Sequence, residues 1–96
     1  MIPGSISKVS ETTVASAASI RATADVVKVT GTTGINTIVP GIGPGQSQFL
    51  MLIPVDGSVV LGTSGNILIG ITAVVNRVVF MVYSRATAKW YINSGV

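Results

Sequence analysis

Gln48-Phe49-Leu50-Met51-Leu52-Ile53-Pro54 and Arg77-Val78-Val79-Phe80-Met81-Val82-Tyr83 decide how this chain reads. Each is a short apolar run rich in β-branched and aromatic side chains and bounded by turn residues, the signature of a strand rather than a helix. Neither run alternates. A half-exposed antiparallel strand places a polar residue at every second position, whereas Phe49 to Ile53 and Val78 to Tyr83 are apolar throughout. Such strands are covered on both faces. A chain of 96 residues is too small to do this with its own core, so a second subunit or a partner is expected on one side. Left bare, runs of this kind aggregate.

The rest of the composition agrees. Val and Ile fill 26 of 96 positions against 4 Leu, and 9% of residues are charged, where an ordinary soluble chain carries about 25%. Mean hydropathy is +0.70. Disorder needs the opposite balance, and a helical bundle needs Leu, Ala, Glu and Lys. A membrane span is not expected either. The longest charge-free stretch, Val29 to Val55, is broken by Pro40, Pro44, Pro54 and five glycines, while a spanning helix takes about 20 consecutive apolar residues. Met1 to Ser10 has no apolar stretch followed by a cleavage site, so no signal peptide is expected. One domain without disulfide or metal, and with few charges to keep strand edges apart, points to an oligomer or to attachment to a larger assembly.

Around the two decisive runs, strands are expected at 17–21, 26–30, 35–39, 58–61, 66–69 and 88–92, with the runs themselves at 48–54 and 77–83. Short strands at such regular spacing indicate an all-β fold, here a small antiparallel β-sandwich or β-roll. Gly31-Thr32-Thr33-Gly34 and Asp56-Gly57 read as hairpin turns, and Ser64-Gly65-Asn66 as a further turn. Pro40 to Gly45 reads as a loop. Residues 1–13, polar and carrying Pro3 and Gly4, form an extended N-terminal arm, and residues 14–96 form the β module.

The chemistry-bearing residues are few. The chain has no Cys and no His, which removes thiolate nucleophiles, zinc–thiolate sites and the commonest general base. Glu11, Asp25 and Asp56 are far apart in sequence, and each has a structural role on offer. Gly41, Gly43 and Gly45 do not make a phosphate loop, because Pro40 and Pro44 interrupt them and a strand follows instead of a helix. Lys8, Arg21, Lys28, Arg77, Arg85 and Lys89 are scattered, without the basic stripe that nucleic acid requires. No enzymatic activity, cofactor or metal is expected.

From Thr13 to Tyr91 the chain resembles a module of tailed-bacteriophage virion proteins. The residues that carry the likeness are Ser16-Ala17-Ala18-Ser19-Ile20, Val27-Lys28-Val29-Thr30-Gly31-Thr32-Thr33-Gly34-Ile35-Asn36-Thr37-Ile38, Gly45 before Gln48-Phe49-Leu50-Met51-Leu52, Leu61, Gly65-Asn66-Ile67, Arg77 to Tyr83 and Lys89-Trp90-Tyr91. The modules carry a polar, Asp- or Gly-containing turn before the Trp. Here that turn is Ser84-Arg85-Ala86-Thr87-Ala88, a departure that bears on the last hairpin.

The resemblance implies a β-rich, trimeric, non-enzymatic virion structural protein. For a chain this short the expectation is a capsid decoration, or cement, protein on the outer surface of a phage head. Its partners would be itself, as a homotrimer, and the major capsid protein or another virion protein, with no nucleic acid and no membrane. The alternative is a tail-fibre, tail-spike or baseplate component that binds a host receptor or glycan. Ile2, Ile6, Lys8 and Val9 of the arm are the candidate partner-binding residues. Phe49, Met51, Phe80 and Trp90 are the candidates for the oligomer interface or the core. Should the arm not be the anchor, Arg21, Arg77 and Arg85 are the first docking residues to consider.

Overall fold

Residues 9–42 and 46–92 are described by the computed structural model of the chain. They form nine strands and no helix: β1 (Glu11–Ala15), β2 (Ser19–Ala22), β3 (Val26–Thr30), β4 (Thr37–Pro40), β5 (Gln48–Pro54), β6 (Val59–Leu61), β7 (Ile71–Ala73), β8 (Val79–Ser84) and β9 (Lys89–Ile92). A five-stranded sheet has the order β1-β3-β5-β8-β9, and β2-β4 and β6-β7 form two further pairs. The fold is all-β, as the sequence predicts, but its sheets are mixed rather than antiparallel. β1, β3 and β5 run parallel, as do β2 and β4. β8 and β9 complete the large sheet in antiparallel fashion.

The parallel pairing follows from the path of the chain. From β1 to β5 it alternates between the large sheet and the β2–β4 pair, so each return strand points the same way as the last. Parallel neighbours need a crossover, usually a helix; here a strand of another sheet supplies it. Two expected hairpins are therefore crossovers. Gly31–Gly34 carries the chain from β3 toward β4 in another sheet, and Asp56–Gly57 carries it from β5 to β6. The two turns are tied together, since Gly31 N donates to the Asp56 carboxylate at 2.8 Å. Gly31 has φ 73°, a left-handed conformation that a side chain disfavours.

The expected strand at 66–69 is absent. Asn66–Ile69 is a bend in which Ile67 alone bridges Trp90, and the strand lies later, at β7. Asn66 replaces the missing ladder with its side chain: Oδ1 accepts from Ile38 N at 2.9 Å, and Nδ2 donates to Ile38 O at 2.7 Å. The backbone there also closes the outer edge of β9, through Trp90 N to Asn66 O at 2.8 Å and Leu68 N to Trp90 O at 3.0 Å.

At the other end, Glu11–Thr13, expected in the arm, belong to β1 and pair with β3. Their polar side chains conceal the strand in the sequence. Residues 1–8 lie outside the described residues, as do Gly43 to Gly45 of the expected loop.

One core unites the three sheets. Val27, Val29, Leu50, Leu52, Met81 and Trp90 come from the large sheet, Ile20 and Ile38 from β2–β4, and Val59, Leu61 and Ala73 from β6–β7. Trp90 is fully buried. Its Nε1 donates to Ile38 O at 2.8 Å, and its ring meets Tyr83 at 5.2 Å between centroids, tilted by 56°. It binds the last strand to the β2–β4 pair by packing and by a satisfied polar atom together.

Candidate interaction face

Side chains alternate across a strand, so the core claims only every second residue of β5 and β8. Leu50, Leu52 and Pro54 turn inward from β5, and Val79, Met81 and Tyr83 from β8. Phe49, Met51 and Ile53 therefore point outward, as do Phe80 and Val82. The register sets Phe49 opposite Val82, Met51 opposite Phe80, and Val82 opposite Tyr91 of β9. Cross-strand neighbours of this kind touch, so these residues form one continuous patch.

The patch is open. Phe49 is 72% exposed, Phe80 52%, Val78 50%, Tyr91 39% and Val82 38%. The three aromatic rings, each worth about 150–250 Å² when buried, present roughly 250–400 Å² between them. With their aliphatic neighbours they reach the size of the largest apolar patches on ordinary monomers, about 300–600 Å² and often functional. Full burial of a Phe side chain is worth about 1.5–3 kcal/mol; at Phe49 most of that gain is not realised within the monomer.

The same sheet is polar on its other half. Glu11, Thr13, Lys28 and Thr30 share the outward side of β1 and β3 with only Ala15 and the half-buried Val26 as apolar members, and Lys28 Nζ meets Glu11 at 3.1 Å. The Tyr91 hydroxyl lies 3.1 Å from Thr87 Oγ1 and keeps the edge of the patch polar.

The four core-or-interface candidates thus separate. Trp90 lies in the core. Phe49, Met51 and Phe80 lie together on the outer face, Met51 half-buried between its neighbours. Of the arm candidates, Val9 is exposed, while Ile2, Ile6 and Lys8 lie outside the described residues. The face also includes Ile53, Val78, Val82 and Tyr91, which sequence reasoning does not single out. A signal for them exists: each shares the parity of Phe49 or Phe80, or stands next to the large, inward Trp90.

Among the described residues, the three acids and Lys28, Arg85 and Lys89 make contacts within the fold. The Asp25 carboxylate accepts from Ser10 N and Ser10 Oγ, both at 3.1 Å, while Asp25 N donates to Ser10 Oγ at 3.0 Å. This clamp lies in a shallow cleft of 270 Å³ beside Phe49. Gln48, also in the cleft, uses both ends of its amide on Gly41 N and Ala22 O. Lys89 Nζ donates to Gly65 O at 3.2 Å, and the Arg85 guanidinium sits 5.9 Å from the Tyr83 ring centroid. Arg21 and Arg77 are exposed on β2 and just before β8. Among the described residues, no three His, Cys, Asp or Glu side chains gather as a metal set, and no helix is long and apolar enough to cross a membrane.

Fold and face together define a class: an all-β domain of mixed sheets with a neutral, apolar outer face. Comparison with protein-family models, curated proteins and solved structures finds no match to this chain.

Proposed function

We propose that this chain is a non-enzymatic virion structural protein and, within that class, a capsid decoration protein docked on the outer surface of a phage head. The observation that carries this reading is the apolar outer face of β5, β8 and β9, which the domain's own core leaves uncovered. A subunit meant to live in an assembly has a use for such a face; a free monomer bears it as an aggregation hazard. The resemblance over Thr13 to Tyr91 and the scarcity of charge support the same reading. A two-layer sandwich architecture, a homotrimeric state and an N-terminal arm that reaches the shell through Ile2, Ile6, Lys8 and Val9 belong to this proposal.

The rings on the face bear on the alternative, a glycan-binding tail component. Sugar sites combine a stacking ring with convergent polar groups. Phe49 does border the polar cleft of Ser10, Asp25 and Gln48, the place where the alternative would seat a sugar, but Phe80 stands among Met51, Val78 and Val82 with no polar group beside it in the register, which favours a protein surface as the partner. The test is to add the purified chain to phage heads stripped of accessory proteins, and to follow co-sedimentation and electron microscopy. Saturable binding that raises regular protrusions on the head supports the proposal. Binding confined to tails, or to immobilised glycans, replaces it with the alternative.

A further inference from the structure

The outer face of β5, β8 and β9 is not the chain's sole apolar surface. Val60, Ile69 and Val74 are 57%, 48% and 45% exposed. They belong to β6, to the residue following β7, and to the connection between the two strands. In β6, Val59 and Leu61 turn to the core and Val60 turns away. In the register Val60 stands opposite Thr72, which is also exposed. The whole segment from Gly57 to Asn76 contains no Asp, Glu, Lys or Arg. The five-stranded sheet and the β6–β7 pair bury their other sides in one shared core, so their outer sides look away from that core in different directions.

We infer that these two surfaces are the halves of one head-to-tail contact between copies of the chain: the outer face of β5, β8 and β9 on one copy receives the β6–β7 surface of the next. The inference rests on the proposal that the outer face is an interface, and it names the occupant.

Three observations favour a second copy. The first is number. A two-fold contact uses one patch twice and leaves the other bare, whereas a contact joining two different patches covers both. Contacts of that type close into rings when the rotation allows, which is the symmetry of a homotrimer. The second is charge. β5, β6, β7 and β8 carry no ionic side chain, and Lys89 of β9 already donates to Gly65 O, so bringing the surfaces together strips water from few charges, a step that would otherwise be costly. The third is area. A stable interface takes about 800 Å² per partner. The three rings supply roughly 250–400 Å² of that, and Met51, Ile53, Val78 and Val82 extend it.

The experiment uses Phe49→Glu on the first surface and Val60→Glu on the second, with sedimentation at micromolar concentration as the readout. Circular dichroism and the emission of buried Trp90 check that each variant is folded. The wild type is expected to sediment as an oligomer and each variant as a monomer. A 1:1 mixture of the two variants is expected to regain a two-chain species and nothing larger. The Phe49→Glu copy keeps its β6–β7 surface, the Val60→Glu copy keeps its outer face, and those two intact halves make one contact.

A monomeric wild type, or a mixture that stays monomeric, overturns the inference. So does a Val60→Glu variant that keeps the wild-type mass while Phe49→Glu loses it, since that pattern marks a two-fold contact on the outer face. In each of these outcomes docking on phage heads is read separately and can still hold. Phe80→Glu and Val74→Glu repeat the test at neighbouring positions should a first variant fail to fold.

Discussion

The two halves of the five-stranded sheet bury the same kind of inner face and present opposite outer ones. In β3, Val27 and Val29 turn inward while Lys28 and Thr30 turn out with Val26 beside Met51 of β5, and Lys28 pairs with Glu11 of β1. In β5 and β8, Leu50, Leu52 and Met81 turn inward while Phe49, Met51, Phe80 and Val82 turn out. β3 sits between two strands of the sheet, as β5 does, so a central position does not by itself demand apolar residues outside. The core is closed in both halves. The outward residues of β5 and β8 are therefore unexplained by folding of the single chain, and the proposed interface would give them a role.

The comparison breaks or sharpens at the inner layer first, where the largest effects are expected. Trp90→Ala removes a fully buried ring and the donor to Ile38 O. Large aromatic-to-alanine changes in cores cost about 3–5 kcal/mol. A domain of this size has about 5–15 kcal/mol in total by the general range, so the variant should melt far below the wild type or fail to fold. A loss under about 1 kcal/mol in denaturant titration would mean that the Trp90 contact does not hold the last strand.

Leu52→Ala and Phe80→Thr form the direct contrast between the two sides of the apolar half. Leu52 is fully buried, and Leu→Ala in cores costs about 2–5 kcal/mol. Phe80 points outward, and its loss should cost less than about 1 kcal/mol once the protein is dilute enough to be monomeric. At higher concentration the Phe80→Thr penalty should grow, because an assembly that binds only folded chains adds stability by mass action. A penalty above about 2 kcal/mol that does not depend on concentration would place Phe80 among the groups that hold the monomer together.

The strands of the apolar half are legible in the sequence, and their partners are not. β3, β5, β8 and β9 announce themselves by β-branched and aromatic runs, and the unbroken apolarity of β5 and β8 shows that both of their faces carry apolar side chains. Hydrophobic alternation says which side of a strand is buried but not which strand lies beside it, and Asp56-Gly57 looks the same in a hairpin as in a crossover. β1 escapes notice because an edge strand, Glu11-Thr12-Thr13-Val14-Ala15, needs few apolar residues, and polar edges are how sheets avoid unwanted pairing. Asn66–Ile69 misleads because its apolar residues resemble a strand, while the ladder role there falls to the Asn66 side chain, which hydropathy does not register. The face is half legible: Phe49 and Phe80 stand out by size, but only the register joins them to Val82 and Tyr91.

The smallest expected effect lies in the hairpin that closes the apolar half. β8 and β9 pair through Ser84 and Lys89, leaving Arg85–Ala88 as a four-residue loop, and Ala88 N donates to Ser84 O at 2.8 Å. Ala88 ends that loop with φ 55°. A left-handed conformation costs an L-residue about 1–2 kcal/mol, and glycine adopts it freely at some cost in unfolded-state entropy, about 0.5–1 kcal/mol. Ala88→Gly should therefore stabilise the protein by about 0.5–1 kcal/mol, a rise of a few degrees in Tm for a domain of this size. The side chain it removes is a single methyl in an exposed turn, so sedimentation of the variant should match the wild type. A gain in Tm with unchanged association would show that turn strain and the outer face contribute independently. A loss of stability would mean that the Ala88 methyl makes a contact worth more than the strain, and the hairpin rather than the face would then be the place to look for what holds β8 and β9 in register.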